Sequence, residues 1–117
     1  MNTKLAESLA DAVVALPQED YTLFQQALTD RMVKKTPDVA GGHACIRNTR
    51  IAVWILISLM HQGVDDAALL RKYPGLSLID LAAARIHYIS FKSEIDETIA
   101  SHHQENESHG SLKSEWG

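Results

Sequence analysis

The sequence predicts a mainly α protein, a trihelical helix-turn-helix core preceded by a short β ribbon and an N-terminal helical hairpin. Three observations predict it. Residues 51–60 read IAVWILISLM, apolar on every side except at Ser58, and a segment apolar all round is buried all round. Apolar residues recur at helical spacing on both sides of this run. Between residues 31 and 51 that period vanishes, and β-branched residues, Pro37, Gly41 and Gly42 take its place.

In chain order, Leu5, Leu9, Ala12, Val13 and Leu16 form a helical stripe, with Thr3 as its cap. Pro17 ends that helix and opens a second, with Glu19 and Asp20 in the favourable first turn. The second helix is expected to bury Tyr21, Phe24, Leu28 and Met32. Residues 1–32 thus form the helical hairpin, or an elbow, since almost no loop joins the two helices. Residues 33–51 form the ribbon, one strand around Val33, another over Cys45 to Ile51, and a turn over Pro37 to Gly42.

The trihelical core spans residues 52–92. Its central helix runs from Ala52 to Gln62 and stops at Gly63. Asp65 or Asp66 caps a short helix carrying Ala68, Leu69 and Tyr73. Pro74 and Gly75 break the chain. Ser77 caps the next helix, with Asp80 three residues on in a capping-box arrangement. Leu78, Leu81, Ala82, Ile86 and Ile89 are its expected buried stripe. An amphipathic turn with Ile95 and Ile99 closes a domain over 33–100, and 101–117 reads as a mobile polar tail.

A chain of 117 residues holds one domain with a real core. No apolar run reaches the ~20 residues of a membrane span, and the acids among the first residues do not suit a signal peptide. Cys45 is the single cysteine, which fits a reduced, cytoplasmic setting without disulfides. Net charge is −4, which alone argues against nucleic acid. Its distribution argues the other way. Residues 1–30 carry one Lys against five acids, residues 31–92 carry nine Lys and Arg against four, and residues 93–117 carry one Lys against six. The basic middle could meet an anionic partner, or the acidic flanks could fold onto it.

Two stretches point to DNA. A short helix, a tight turn over Pro74, Gly75 and Leu76, and a longer helix have the form of a helix-turn-helix unit whose second helix enters the major groove. Ser77, Asp80, Arg85 and His87 lie on its outward side, and Arg71 and Lys72 stand where phosphate would pass. Asp80 opposes phosphate unless it accepts from a cytosine amino group. The second stretch is Arg47, Asn48, Thr49 and Arg50. Asn48 suits a left-handed turn. The two arginines can clamp phosphates, or cap carbonyls and pair with Asp38, Asp65 or Asp66.

Catalysis finds little footing. His43 and Cys45 share a strand face but lack an orienting third group. His102, His103, His109 and Glu105 read as solvated residues rather than metal ligands. No metal or cofactor is expected.

The stretch GGHACIRNTRIAV, then a leucine-rich helix, a Gln-Gly pair, LLRKYPGLSLIDLAAARIHY and IDETI, resembles domain-of-unknown-function family 433, a bacterial family often described as antitoxin-like. The resemblance covers roughly residues 36–98. The family pattern is approximately GGxPCIRGTRIPV, followed by YPxL[ST]xxD[IL]xAA. The chain departs from it at Ala44, Asn48 and Ala52, where the family tends to have Pro, Gly and Pro. The resemblance implies a homeodomain-like or winged-helix-like trihelical core and pairing with a nuclease-like toxin.

The sequence therefore points to a non-enzymatic regulator of antitoxin type. It would bind operator DNA through Arg47, Arg50, Arg71, Lys72, Ser77, Arg85 and His87, and act as a homodimer. The rival reading is a protein-interaction adaptor that does not touch DNA.

Overall fold

A computed structural model describes residues 2–103. The chain is mainly helical, with one small antiparallel sheet of two strands. Helices α1 (Thr3–Val14) and α2 (Gln18–Met32) lead into strands β1 (Val33–Lys35) and β2 (Ala44–Ile46). Helices α3 (Val53–His61), α4 (Asp66–Lys72) and α5 (Leu78–Ser90) follow. A further helix, α6, covers residues 92–103.

Local chemistry sets most of the boundaries. Asn2, not Thr3, caps α1, its Oδ1 accepting from the Leu5 N–H at 2.9 Å. Pro17 is the residue before α2, with Glu19 and Asp20 in the first turn. Helix α3 ends in a Schellman arrangement: Val64 N–H donates to Leu59 O and Gly63 N–H to Met60 O, both at 3.0 Å. Gly63 supplies the left-handed residue at φ +91°, which any side chain would strain. Asp65 caps α4 by accepting from the Ala68 N–H at 2.8 Å.

The ribbon pairs Val33 with Ile46, Lys34 with Cys45 and Lys35 with Ala44. The second strand is three residues long and ends at Ile46, well short of Ile51. The reason lies in the turn that follows: Thr49 donates its N–H and its hydroxyl to Ile46 O, and the Ile51 N–H returns to the Thr49 hydroxyl. The ribbon is held down by the core, because Ile46 is fully buried.

That core gathers Ile46, Val53, Leu56, Ile57, Leu69, Leu76, Leu81, Ala84 and Ile95. Burying each large aliphatic side chain contributes about 1.5–3 kcal/mol. Helix α3 is its post: Val53, Leu56 and Ile57 are buried, and Trp54, Leu59 and Met60 pack against the same cluster. Helix α5 lies against α3, α2 and α4. Its buried face is Asp80, Leu81, Ala83 and Ala84; of the expected stripe Leu81 is buried and Ile86 half-buried, whereas Ala82 is exposed and Leu78 and Ile89 are 62% and 75% exposed. The alanines let α5 approach its neighbours closely, and that close approach fixes which face turns inward.

The N-terminal region forms an elbow rather than a closed hairpin. No residue of α1 is buried, and on α2 Tyr21 and Phe24 stay exposed. The molecule is accordingly long, 57 × 28 × 25 Å with a radius of gyration of 17.1 Å, against about 13 Å for a compact chain of this size. At the other end, residues 101–103 continue α6 instead of opening a polar tail, because His102 stacks on Trp54 with ring centroids 4.0 Å apart. His109 and Glu105 lie outside the described residues.

Candidate functional site

The two stretches singled out in the sequence meet in space. Arg47 leaves β2 with φ +40°, so Arg47, and not Asn48, holds the left-handed position of the turn. Its backbone N–H donates to Met32 O at 2.8 Å, and its side chain reaches the start of α5. There Nε donates to Asp80 Oδ1 and Nη2 to Asp80 Oδ2, both at 2.7 Å. Nη2 also reaches Gly75 O at 3.3 Å. Asp80 Oδ2 further accepts from the Ser77 N–H at 2.9 Å and the Ser77 hydroxyl at 3.1 Å.

Asp80 is wholly buried, while the Arg47 side chain remains 43% exposed. Burial pushes the Asp80 carboxyl up, but the Arg47 hydrogen bonds, the two Ser77 bonds and the Arg47 charge outweigh it and hold the group below its ordinary value. The same bonds to Asp80 raise Arg47. A buried carboxylate with a bidentate arginine partner is the strong, geometrically specific form of ion pair.

This clamp ties the turn that carries Arg50 to the start of α5 and to Gly75, in the turn before it. Arg50 sits three residues beyond Arg47, exposed in the turn. Arg71 and Lys72 occupy the last turn of α4, just before the turn that carries Gly75. All three are exposed, and none forms an ion pair with a carboxylate among the described residues. Lys72 Nζ lies 5.9 Å from the Tyr73 ring centroid.

The remaining expected residues fall elsewhere. Arg85 is exposed on α5 and pairs with Asp66 of α4. His87 lies two residues further on, roughly opposite around the helix. It is half-buried and stacks on Phe91 at 4.6 Å between centroids. Burial lowers its pKa, Glu94 raises it and Lys35 lowers it, with a net downward shift.

His87 borders a groove of about 460 Å³ between α2, the ribbon, α5 and α6. Lys35 and Glu94 close one side with a 2.9 Å ion pair. Trp54, His43 and His102 form an aromatic group, His43 standing edge-on to both partners at 6.2–6.3 Å. Neither the groove nor the Arg47 partner was evident in the sequence, since the residues joined lie 33 to 59 positions apart. Cys45 is buried, its thiol pushed up by burial, and its Sγ donates to His43 O at 3.4 Å. No cluster of three or more His, Cys, Asp or Glu that could hold a metal occurs among the described residues. No helix among them is long and apolar enough to cross a membrane.

An Arg–Asp clamp on a buried carboxylate, joining a β-ribbon exit to a helix start, marks a small helical domain with a two-stranded ribbon. Residues 33–88 match the family described as "Protein of unknown function (DUF433)". A solved structure, the crystal structure of a DUF433 member protein from Anabaena variabilis ATCC 29413, is 42% identical, with a TM-score of 0.59. The similarity covers 86% of this chain and 99% of that one. The chain belongs to the DUF433 family. Its likeness to that structure extends well beyond residues 33–88. No curated protein matches the chain.

Proposed function

We propose that the protein is a cytoplasmic, non-enzymatic DNA-binding regulator of antitoxin type that acts as a homodimer. Helices α3, α4 and α5 serve in this reading as a homeodomain-like or winged-helix-like unit. The observation that carries it is the Arg47–Asp80 clamp, which ties the Arg47–Arg50 turn to the start of α5; in this reading that turn and the end of α4 make up a basic end. Arg50 is exposed three residues beyond Arg47, and Arg71 and Lys72 are exposed in the last turn of α4, the helix before α5. Exposed cations flanking a helix start are suited to phosphate. Arg47 and Ser77 hold the α5 start in place, and Arg85 is exposed on α5, where it is paired with Asp66 of α4. His87 is half-buried and lines the groove, so the support it gives this reading is the weakest of the set. A nuclease-like toxin would be the protein partner, taken by a surface away from the basic end.

A second reading, a protein-interaction adaptor, is favoured by Leu78 and Ile79. These two large apolar side chains are 62% and 51% exposed at the tip of α5, where a DNA-reading helix would be expected to be polar. A footprint on the protein's own promoter separates the two. The regulator reading expects protection of one or two half-sites, lost in Arg71→Ala/Lys72→Ala. Unprotected promoter DNA with folded protein would overturn it.

A further inference from the structure

Residues 52–92 contain three acids, Asp65, Asp66 and Asp80. Two of them serve the backbone. Asp65 caps α4 by accepting from the Ala68 N–H, and Asp80 accepts from the Ser77 N–H while it holds Arg47. The Asp66 carboxylate has one hydrogen-bond partner among the described residues, Arg85 of α5. Oδ1 accepts from Nη2 and Oδ2 from Nη1, the second at 3.4 Å.

This pair is unlike the Arg47–Asp80 clamp. There the carboxylate is sealed from water, whereas the Arg85 and Asp66 side chains are 45% and 39% exposed. They can part without stranding a buried charge. Packing of α4 on α5 does not need them, because Leu69 and Leu81 are fully buried in the shared core. Arg85 lies on the exposed side of α5 with Leu78 and Ala82, seven and three residues before it. Arg50, Arg71 and Lys72 have no carboxylate partner among the described residues, so Arg85 differs from them in being exposed and already engaged. An arginine fork fits a carboxylate and a phosphate in the same two-point manner.

We propose that Asp66 is an internal competitor for DNA: its carboxylate occupies the Arg85 fork that a backbone phosphate takes in the complex. Binding then exchanges one anion for another at Arg85, and Asp66 holds the affinity down. The inference rests on the DNA-binding reading above and adds to it the residue that opposes binding. The opposition is modest, since an exposed pair is weak and screened by salt. Asp66 therefore lowers affinity without abolishing it.

The test is a double-mutant cycle on the full chain. Fluorescence anisotropy gives the affinity of the wild type, Asp66→Ala, Arg85→Ala and Asp66→Ala/Arg85→Ala for the protein's own promoter duplex at low salt. Circular dichroism melts check that each variant is folded. Loss of an acid near DNA raises affinity by plain charge as well, and the cycle separates the two effects. Asp66→Ala is expected to bind roughly two- to five-fold more tightly than it does when Arg85 is absent from both members of the comparison. Arg85→Ala should accordingly cost more affinity without Asp66 than with it. A wild type that binds, with Asp66→Ala no tighter, would overturn the competition. So would an equal gain in the Arg85→Ala background, which would leave Asp66 a mere repulsive charge. If folded wild type and folded Asp66→Ala both fail to bind the duplex, the DNA-binding reading itself falls and the competition with it.

Discussion

Arg47 and Asp80 meet through two parallel 2.7 Å hydrogen bonds, one partner half open to water and the other sealed from it. The pair ties the exit of β2 to the start of α5 and gives the domain its register between ribbon and helices. Removing Arg47 strands a buried carboxylate with only the Ser77 bonds. Arg47→Ala should destabilise the fold, by less than the loss of a fully buried pair because Arg47 itself is partly solvated. Arg47→Ala/Asp80→Asn should recover part of that loss. Urea denaturation checks both, and a neutral Arg47→Ala would show the clamp to be structurally idle.

Acid should weaken the fold through the same carboxylate. The folded state holds Asp80 below its ordinary pKa. Its contribution is therefore fully present above the unfolded value near 4 and lost as pH falls through the folded one. Asp80→Asn should flatten the stability profile below about pH 4 relative to the wild type. Thermal melts across that range provide the measurement, and parallel profiles would contradict the assignment.

His87 should act at milder pH. Its pKa is lowered in the fold, burial being the largest cause, with Glu94 opposing and Lys35 assisting. The folded state resists the proton that the unfolded chain accepts near pH 6.5. Stability is accordingly full above that value and declines as pH falls toward the lowered folded value. His87→Gln should lessen the loss as pH falls below the unfolded value near 6.5. An unchanged slope would place His87 in water rather than at the groove.

Gly63 sits at φ +91° with nothing within 4 Å of where a Cβ would stand. Gly63→Ala should therefore cost about 1 kcal/mol through backbone strain alone. Its melting temperature should fall while hydrogen exchange in α5 is unaffected at equal distance from the melt. A loss of several kcal/mol would mean that a steric clash had been missed.

What could be read from the sequence is what neighbours decide. The apolar run through Leu56 and Ile57, the stop at Gly63, the cap at Asp65 and the Ser77–Asp80 pairing all depend on residues within a turn of each other. Asp80 was legible as half of a cap, but its arginine lies 33 residues earlier, and spacing along the chain does not show that partner. The α5 stripe through Leu78 and Ile89 obeyed helical spacing, yet the alanine face won the core because small side chains permit closer packing. His87 looked outward for the same reason. Residues 101–103 looked polar and free because a single stacking contact with Trp54, from 48 positions earlier, has no periodic signature. The apolar stripe of α1 was legible from its spacing, and no residue of that helix is buried.

The central claim, that the basic end around the clamp binds DNA, is tested most directly by fluorescence anisotropy. The protein is titrated with its own promoter duplex and a scrambled one over a salt series, beside Arg50→Ala and Arg71→Ala/Lys72→Ala. The account predicts tighter binding to the promoter and affinity falling linearly on a log–log salt plot. Each substituted phosphate contact should reduce the slope by about 0.9. Equal weak binding to both duplexes, or a salt slope unmoved by the substitutions, would contradict it.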